Sequence, residues 1–119
     1  MKGLIIKEHW VDLILEGKKT WEIRGSNTKI RGKISLIKSG TGQIFGECEL
    51  VDSFECDILD MYVGNHEEKH CIPFGQGIKI SYKKTYAWVM KNPVRYDKPI
   101  HYKHPQGAVI WVNVEVARC

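Results

Sequence analysis

The chain is poor in the residues that staple or punctuate small proteins: four cysteines, four prolines and three phenylalanines in 119 residues. The cysteines, at 48, 56, 71 and 119, form no CxxC pair and no regular framework. That argues against a disulfide scaffold and reads as reduced thiols in a cytoplasmic protein. No apolar run approaches the ~20 residues that span a bilayer. The short apolar stretch at the N-terminus is interrupted by Lys7 and Glu8, unlike a signal peptide, and no membrane partner is expected. P-loop, GxGxxG and GxSxG motifs are absent, which removes the usual signals for nucleotide hydrolysis, dinucleotide binding and acyl transfer. No cofactor is called for.

What is present is globular. Apolar residues make up 43% and aromatics 10% of the chain, enough to bury a core. The length suits a single domain over 1–119, with a monomer favoured. Net charge is only +4 but uneven. From Lys18 to Lys38 there are seven basic residues and one acidic, Glu22; from Gln43 to Glu68 there are eight acidic residues and no Lys or Arg; from Lys79 to Lys103 seven basic residues face one acidic, Asp97. Folded side by side, the basic segments would form a positive face for phosphates. The competing reading is that loop lysines point in unrelated directions.

Short strands dominate the pattern. Gly3–Ile6 reads as a buried strand, and Glu8–Glu16 as a helix with Trp10, Leu13 and Ile14 on one face and Gly17 as its C-terminal cap. Lys33–Lys38, the turn at Ser39–Gly42 and Ile44–Val51 form a β-hairpin. Asp57–Tyr62 and His66–Cys71 each read as a helical turn or two. After the break at Pro73–Gly77, Ile78–Tyr82 is weakly and Thr85–Met90 strongly strand-like. Val94–Tyr96 continues as an irregular strand between two prolines. Ala108–Val116 carries large apolar residues on both faces and is expected to be a central strand. The fold class is mainly β (α+β): five or six strands in a small, partly closed β-barrel with two or three short helices on its flank.

The stretch with most chemistry is Gly17-Lys18-Lys19-Thr20-Trp21-Glu22-Ile23-Arg24-Gly25. If extended, it sends Trp21 and Ile23 to one face and Thr20, Glu22 and Arg24 to the other, with Lys19 at the start of the row. A solvated edge strand or a merely stabilising ion pair competes with a ligand-facing site. His66 and His70, four apart, suit one face of a helix as zinc ligands do. No fourth ligand with suitable spacing is near, so a solvated acidic helix is the better reading and no metal site is assigned. Trp88 and Trp111 read as core. Trp10 and Tyr86 are amphipathic rings that suit a pocket mouth.

Gly17-x-Lys19-x-x-Glu22-x-Arg24, following a short helix that carries Trp10, resembles the GxKxxExR signature of the ASCH domain family, within the PUA-like superfamily of small β-barrels. The Ser39-Gly40 turn, Tyr86-Ala87-Trp88-Val89 and His104-Pro105-Gln106-Gly107-Ala108-Val109-Ile110-Trp111 extend the resemblance along the chain. It implies a cleft between barrel and helices that takes RNA or a modified nucleobase. Its ligand-binding residues would be Trp10, Lys19, Thr20, Glu22, Arg24, Ser39, Tyr86 and His104. One branch of the family hydrolyses N4-acetylcytidine with a lysine, a threonine and a glutamate. Lys19 matches that lysine, whereas Glu22 stands where the threonine would be. Another branch cleaves RNA. An enzyme here would use Lys19 and Glu22 as catalytic residues.

Elementary chemistry fits the same cleft. Lys19 and Arg24 suit a phosphate or base carbonyls, Glu22 can accept from an exocyclic amine, and Trp10 or Tyr86 can stack on a splayed-out base. RNA or a nucleotide-like molecule is therefore the expected partner. Binding is the first reading, and hydrolysis of a modified pyrimidine nucleoside or of RNA the alternative.

Overall fold

Leu4, Ile5 and Ile6 are buried in succession, and a run hidden on both faces belongs inside a sheet. In the computed structural model, which describes residues 1–62, 66–73 and 84–115, they lie in β1 (Lys2–Ile6). Helix α1 (Glu8–Leu15) follows, then β2 (Trp21–Arg24), β3 (Gly32–Lys38), β4 (Gln43–Glu55), α2 (Ile58–Tyr62), α3 (Glu67–His70), β5 (Tyr86–His101) and β6 (Trp111–Asn113). The strands form one mixed sheet in the order β2-β5-β4-β3-β1-β6, in which β1 runs parallel to β3 and the other pairs are antiparallel. The mainly-β class with three short helices among the described residues is as expected. No helix among them is long and apolar enough to cross a membrane.

Closure is where the sheet departs from a complete barrel. Its edges, β2 and β6, do not pair among the described residues. The edge nevertheless curls far enough for Arg24 on β2 to donate from Nη2 to the Ile5 carbonyl on β1, at 2.9 Å. This side chain bridges a seam that backbone hydrogen bonds leave open among the described residues.

The main core packs α1 onto the sheet through Val11, Ile14 and Leu15 against Leu4, Ile6, Leu36, Leu50 and Trp88. The face differs from the expected one: Leu13 and Trp10 are only half-buried. Val11, Ile14 and Leu15 hold the i, i+3, i+4 positions that meet the sheet, and Trp10 turns toward the seam. A second cluster of Trp21, Cys56, Met61 and Ala87 seats α2 beneath β2. Cys48, Cys56 and Cys71 are free. Burial pushes the Cys48 thiol up to about 12 and the Cys56 thiol to about 11, so both are inert.

Two strands run differently from the sequence pattern. The expected strands Thr85–Met90, from Tyr86 on, and Val94–Tyr96 are parts of one strand, β5, that passes through Pro93 and Pro99 without stopping. Beyond Met90 it has left the β2 segment, so one side needs no amide donors, and shifts in register against β4 absorb the irregularity. The C-terminal strand is the reverse case. It shrinks to three residues and lies at the edge rather than in the centre. A turn closed by the Ala108 amide on the Pro105 carbonyl occupies its expected start, and Val109 is left 75% exposed. Val112 and Val114 are buried as expected. The strand suggested for Ile78–Tyr82, and Val116, lie outside the described residues.

Candidate functional site

Helix α1 ends in a Schellman motif, and that motif aims Lys19. The Gly17 amide donates to Ile14 O and the Lys18 amide to Leu13 O, both at 3.0 Å, with Gly17 at φ +77°. The chain reverses there. Thr20 then anchors the start of β2 by donating to Lys69 O and accepting from the Met90 amide. Lys19 is turned inward and is only 1% exposed.

Its ammonium sits among three partners. Nζ donates to the His70 carbonyl at 2.6 Å, lies 3.6 Å from Glu22 Oε1 and stands 4.5 Å from the centre of the Trp10 ring. Burial holds the Lys19 amine below the ordinary lysine range, against the opposing pull of Glu22. Glu22 is itself buried and shared. Its Oε2 accepts from Arg24 Nε at 3.1 Å and Nη2 at 2.9 Å. The Arg24 guanidinium also lies 5.6 Å from the Trp88 ring centre. Every buried side-chain polar atom among the described residues has a partner, as a stable buried charge network requires. Alternation places Trp21 on the opposite face, in the α2 cluster, as the period of two demands.

These side chains line a cleft of about 320 Å³ at the open seam, between β1 and β2. Trp10, Lys19, Glu22, Arg24 and Ser39 meet there, together with Ile5, Ile6, Lys7, Ile23, Ile72 and Val109. Thr20 is not in its wall; it lines a smaller cavity under the end of α1, with Cys48 and Met90. Tyr86 packs against the main core, and His104 lies in a neighbouring cavity. Of the eight sequence candidates, five therefore converge and three stand apart. Lys7 and Ile72 carried no motif, and Val109 lay in the closing stretch without being singled out; only the fold brings them to the cleft.

The geometry also changes what two residues can do. Arg24, a candidate for a phosphate or base carbonyls, has Nε and Nη2 committed to Glu22 and Ile5 O. Trp10 has the Lys19 ammonium on its ring and His9 packed 4.8 Å away, so less of its surface is available for stacking.

His70 corrects another reading. The helix that carries it is not wholly solvated: the ring is fully buried, Nε2 donates to Met61 O at 2.7 Å, and Nδ1 accepts from the Ile72 amide at 2.9 Å. Burial chiefly keeps the imidazole below its ordinary pKa. Several side chains of the basic segments are paired with carboxylates. Lys33 pairs with Glu47, Arg31 with Asp52, and Lys38 and Arg95 with Asp12. The β3–β4 register lays part of the first basic segment against the acidic one.

Residues 4–100 match the family model of the ASCH domain. The fold is similar to the crystal structure of ASCH from Zymomonas mobilis, with TM-score 0.71 and 15% identity over 88% of this chain and 82% of that one. It is similar also to a variant of that protein, with TM-score 0.69 and 14% identity over 96% of this chain and 87% of the other. No curated protein matches the chain by sequence. With the family model covering most of its length, the chain belongs to the ASCH domain family.

Proposed function

We propose that this ASCH domain binds single-stranded RNA, or a nucleoside of modified RNA, with one base inserted in the cleft between β1 and β2. The seam is then the opening of an incompletely closed PUA-like barrel. The observation that carries the reading is the Lys19–Glu22–Arg24 network, buried and yet forming the wall of a cleft. Arg24 and Lys19 hold the Glu22 carboxylate in place, and its Oε1 has only a 3.6 Å ion pair, leaving lone pairs for an exocyclic amine. Cytosine and adenine present such an amine; uracil does not. Lys7 at the mouth, exposed and in no ion pair among the described residues, suits the phosphate.

The test is equilibrium binding of cytidine and uridine, free and within short RNAs. Cytidine should bind more tightly by roughly 1–3 kcal/mol, the value of one specific base contact, and Glu22→Gln should erase the difference. Equal affinities in the wild type would overturn the reading.

One observation favours a second reading, hydrolysis of an acylated pyrimidine nucleoside or of RNA. Lys19 and Glu22 stand 3.6 Å apart in the cleft wall, and burial lowers the Lys19 pKa from the ordinary lysine value, the direction that a lysine general base needs. Conversion of N4-acetylcytidine to cytidine, followed by mass spectrometry, tests it directly.

A further inference from the structure

We propose that the groove beyond Ser39 is a second subsite, which takes the neighbouring nucleotide of the RNA whose first base occupies the seam cleft. This rests on the RNA reading above and narrows the ligand from a free nucleoside to two or more linked nucleotides. The groove, of about 430 Å³, shares Ile5, Ser39 and Val109 with the seam cleft, so the two cavities adjoin across these side chains. Its far wall is an aromatic pair already fixed in place. Tyr102 donates to His104 Nδ1 at 2.8 Å, and His104 Nε2 donates to Ala108 O at 2.9 Å. The rings meet edge to face, 5.8 Å apart. A wall locked this way offers a stacking surface without the cost of ordering it on binding.

The remaining residues fit a nucleotide step. Gly40 and Gly42 are in left-handed conformations, and a Cβ at either would meet nothing within 4 Å, so the turn presents open backbone to a sugar and phosphate. The Ser39 side chain, at the junction of the cavities, makes no hydrogen bond among the described residues and can donate to the linking phosphate. Val109, 75% exposed, stands on the lip of both cavities. An apolar side chain held out there would wedge two adjacent bases apart, as single-strand recognition requires. The groove contains no Lys or Arg, so it would add stacking rather than charge.

The experiment compares cytidine monophosphate with ribodinucleotides that extend it on either side, by calorimetry. One of the dinucleotides should bind about tenfold more tightly, on the order of one added base–aromatic stack. His104→Ala, at an exposed residue, and Tyr102→Ala should bring the dinucleotide-to-mononucleotide affinity ratio near one. If Tyr102→Ala disturbs packing, His104→Ala alone decides. A wild-type ratio of one, with the mononucleotide bound, overturns the second subsite and leaves the seam cleft standing. A ratio unchanged by His104→Ala also overturns it. Failure of every nucleotide to bind would overturn both readings together.

Discussion

The Lys19 ammonium donates to the backbone carbonyl of His70 at 2.6 Å, across 51 residues of sequence. This contact ties the start of β2 to the end of α3, whose imidazole is itself held by Met61 O and the Ile72 amide. The cleft's central cation is therefore positioned by main chain from a distant helix, not only by its carboxylate neighbour. Stability of that helix and geometry of the site are coupled.

The coupling gives a pH prediction. The His70 pKa is lowered from 6.5 in the folded chain, chiefly by burial. Unfolded His70 thus takes up a proton at higher pH than folded His70, so the unfolded state binds more protons as pH falls below 6.5. The contribution is present above 6.5 and is lost as pH falls toward the folded pKa. Thermal melting should show a decline over that window that His70→Asn flattens, and ligand affinity should fall with it. Parallel profiles for wild type and variant would mean that another group controls acid stability.

Gly46 is predicted to tolerate no side chain. A Cβ there would collide with the Val94 carbonyl and approach Leu15 Cδ2 to 2.6 Å, where β4 crosses β5 beneath α1. Because the first obstacle is backbone, Gly46→Ala should cost about 1–3 kcal/mol, the usual overpacking penalty. Urea unfolding measures it, and a midpoint equal to the wild type would show that β5 can give way.

Much of this was legible in sequence because the relevant signals are local. The glycine after α1, the alternation from Trp21 to Arg24 and the glycine turn after Ser39 each appear in the structure where expected. Thr20, Tyr86 and His104 were not separable from the cleft residues, because only sheet curvature decides which row faces the seam. The pairing of Lys33 with Glu47 and of Arg31 with Asp52 depends on strand register, which charge counts along the chain do not contain. Val112 is buried for a reason independent of strand position, since it packs on Ile5 and Ile37 from the sheet edge.

Charge pairing also sets the expected salt response. With Lys33, Lys38, Arg31 and Arg95 engaged by carboxylates, binding should depend on few phosphates. Each contributes roughly −0.7 to the log–log salt slope for a single strand. A slope near one or two such increments is expected for a short RNA, and Lys7→Ala should remove about one. A much steeper slope would show that further lysines contact phosphates.

The last prediction separates a binder from an enzyme by using the two central residues. Lys19→Arg keeps a cation near Glu22, but the planar guanidinium must fit a space occupied by one ammonium and the Trp10 ring. If Lys19 only positions Glu22, the variant should retain selectivity for amine-bearing bases with reduced affinity. If the neutral Lys19 amine takes a proton during hydrolysis, arginine cannot replace it at any working pH. Turnover should then fall by roughly 10²–10⁴-fold, the typical contribution of general acid–base catalysis. Glu22→Gln retains Oε1 as an acceptor and removes the charge between Lys19 and Arg24. For a binder its effect should be confined to affinity and base preference. Assays of N4-acetylcytidine and of a short RNA, each scored for both retention and conversion, decide the matter. Conversion by wild type, abolished in both variants while binding persists, would place catalysis ahead of binding as the role of this cleft.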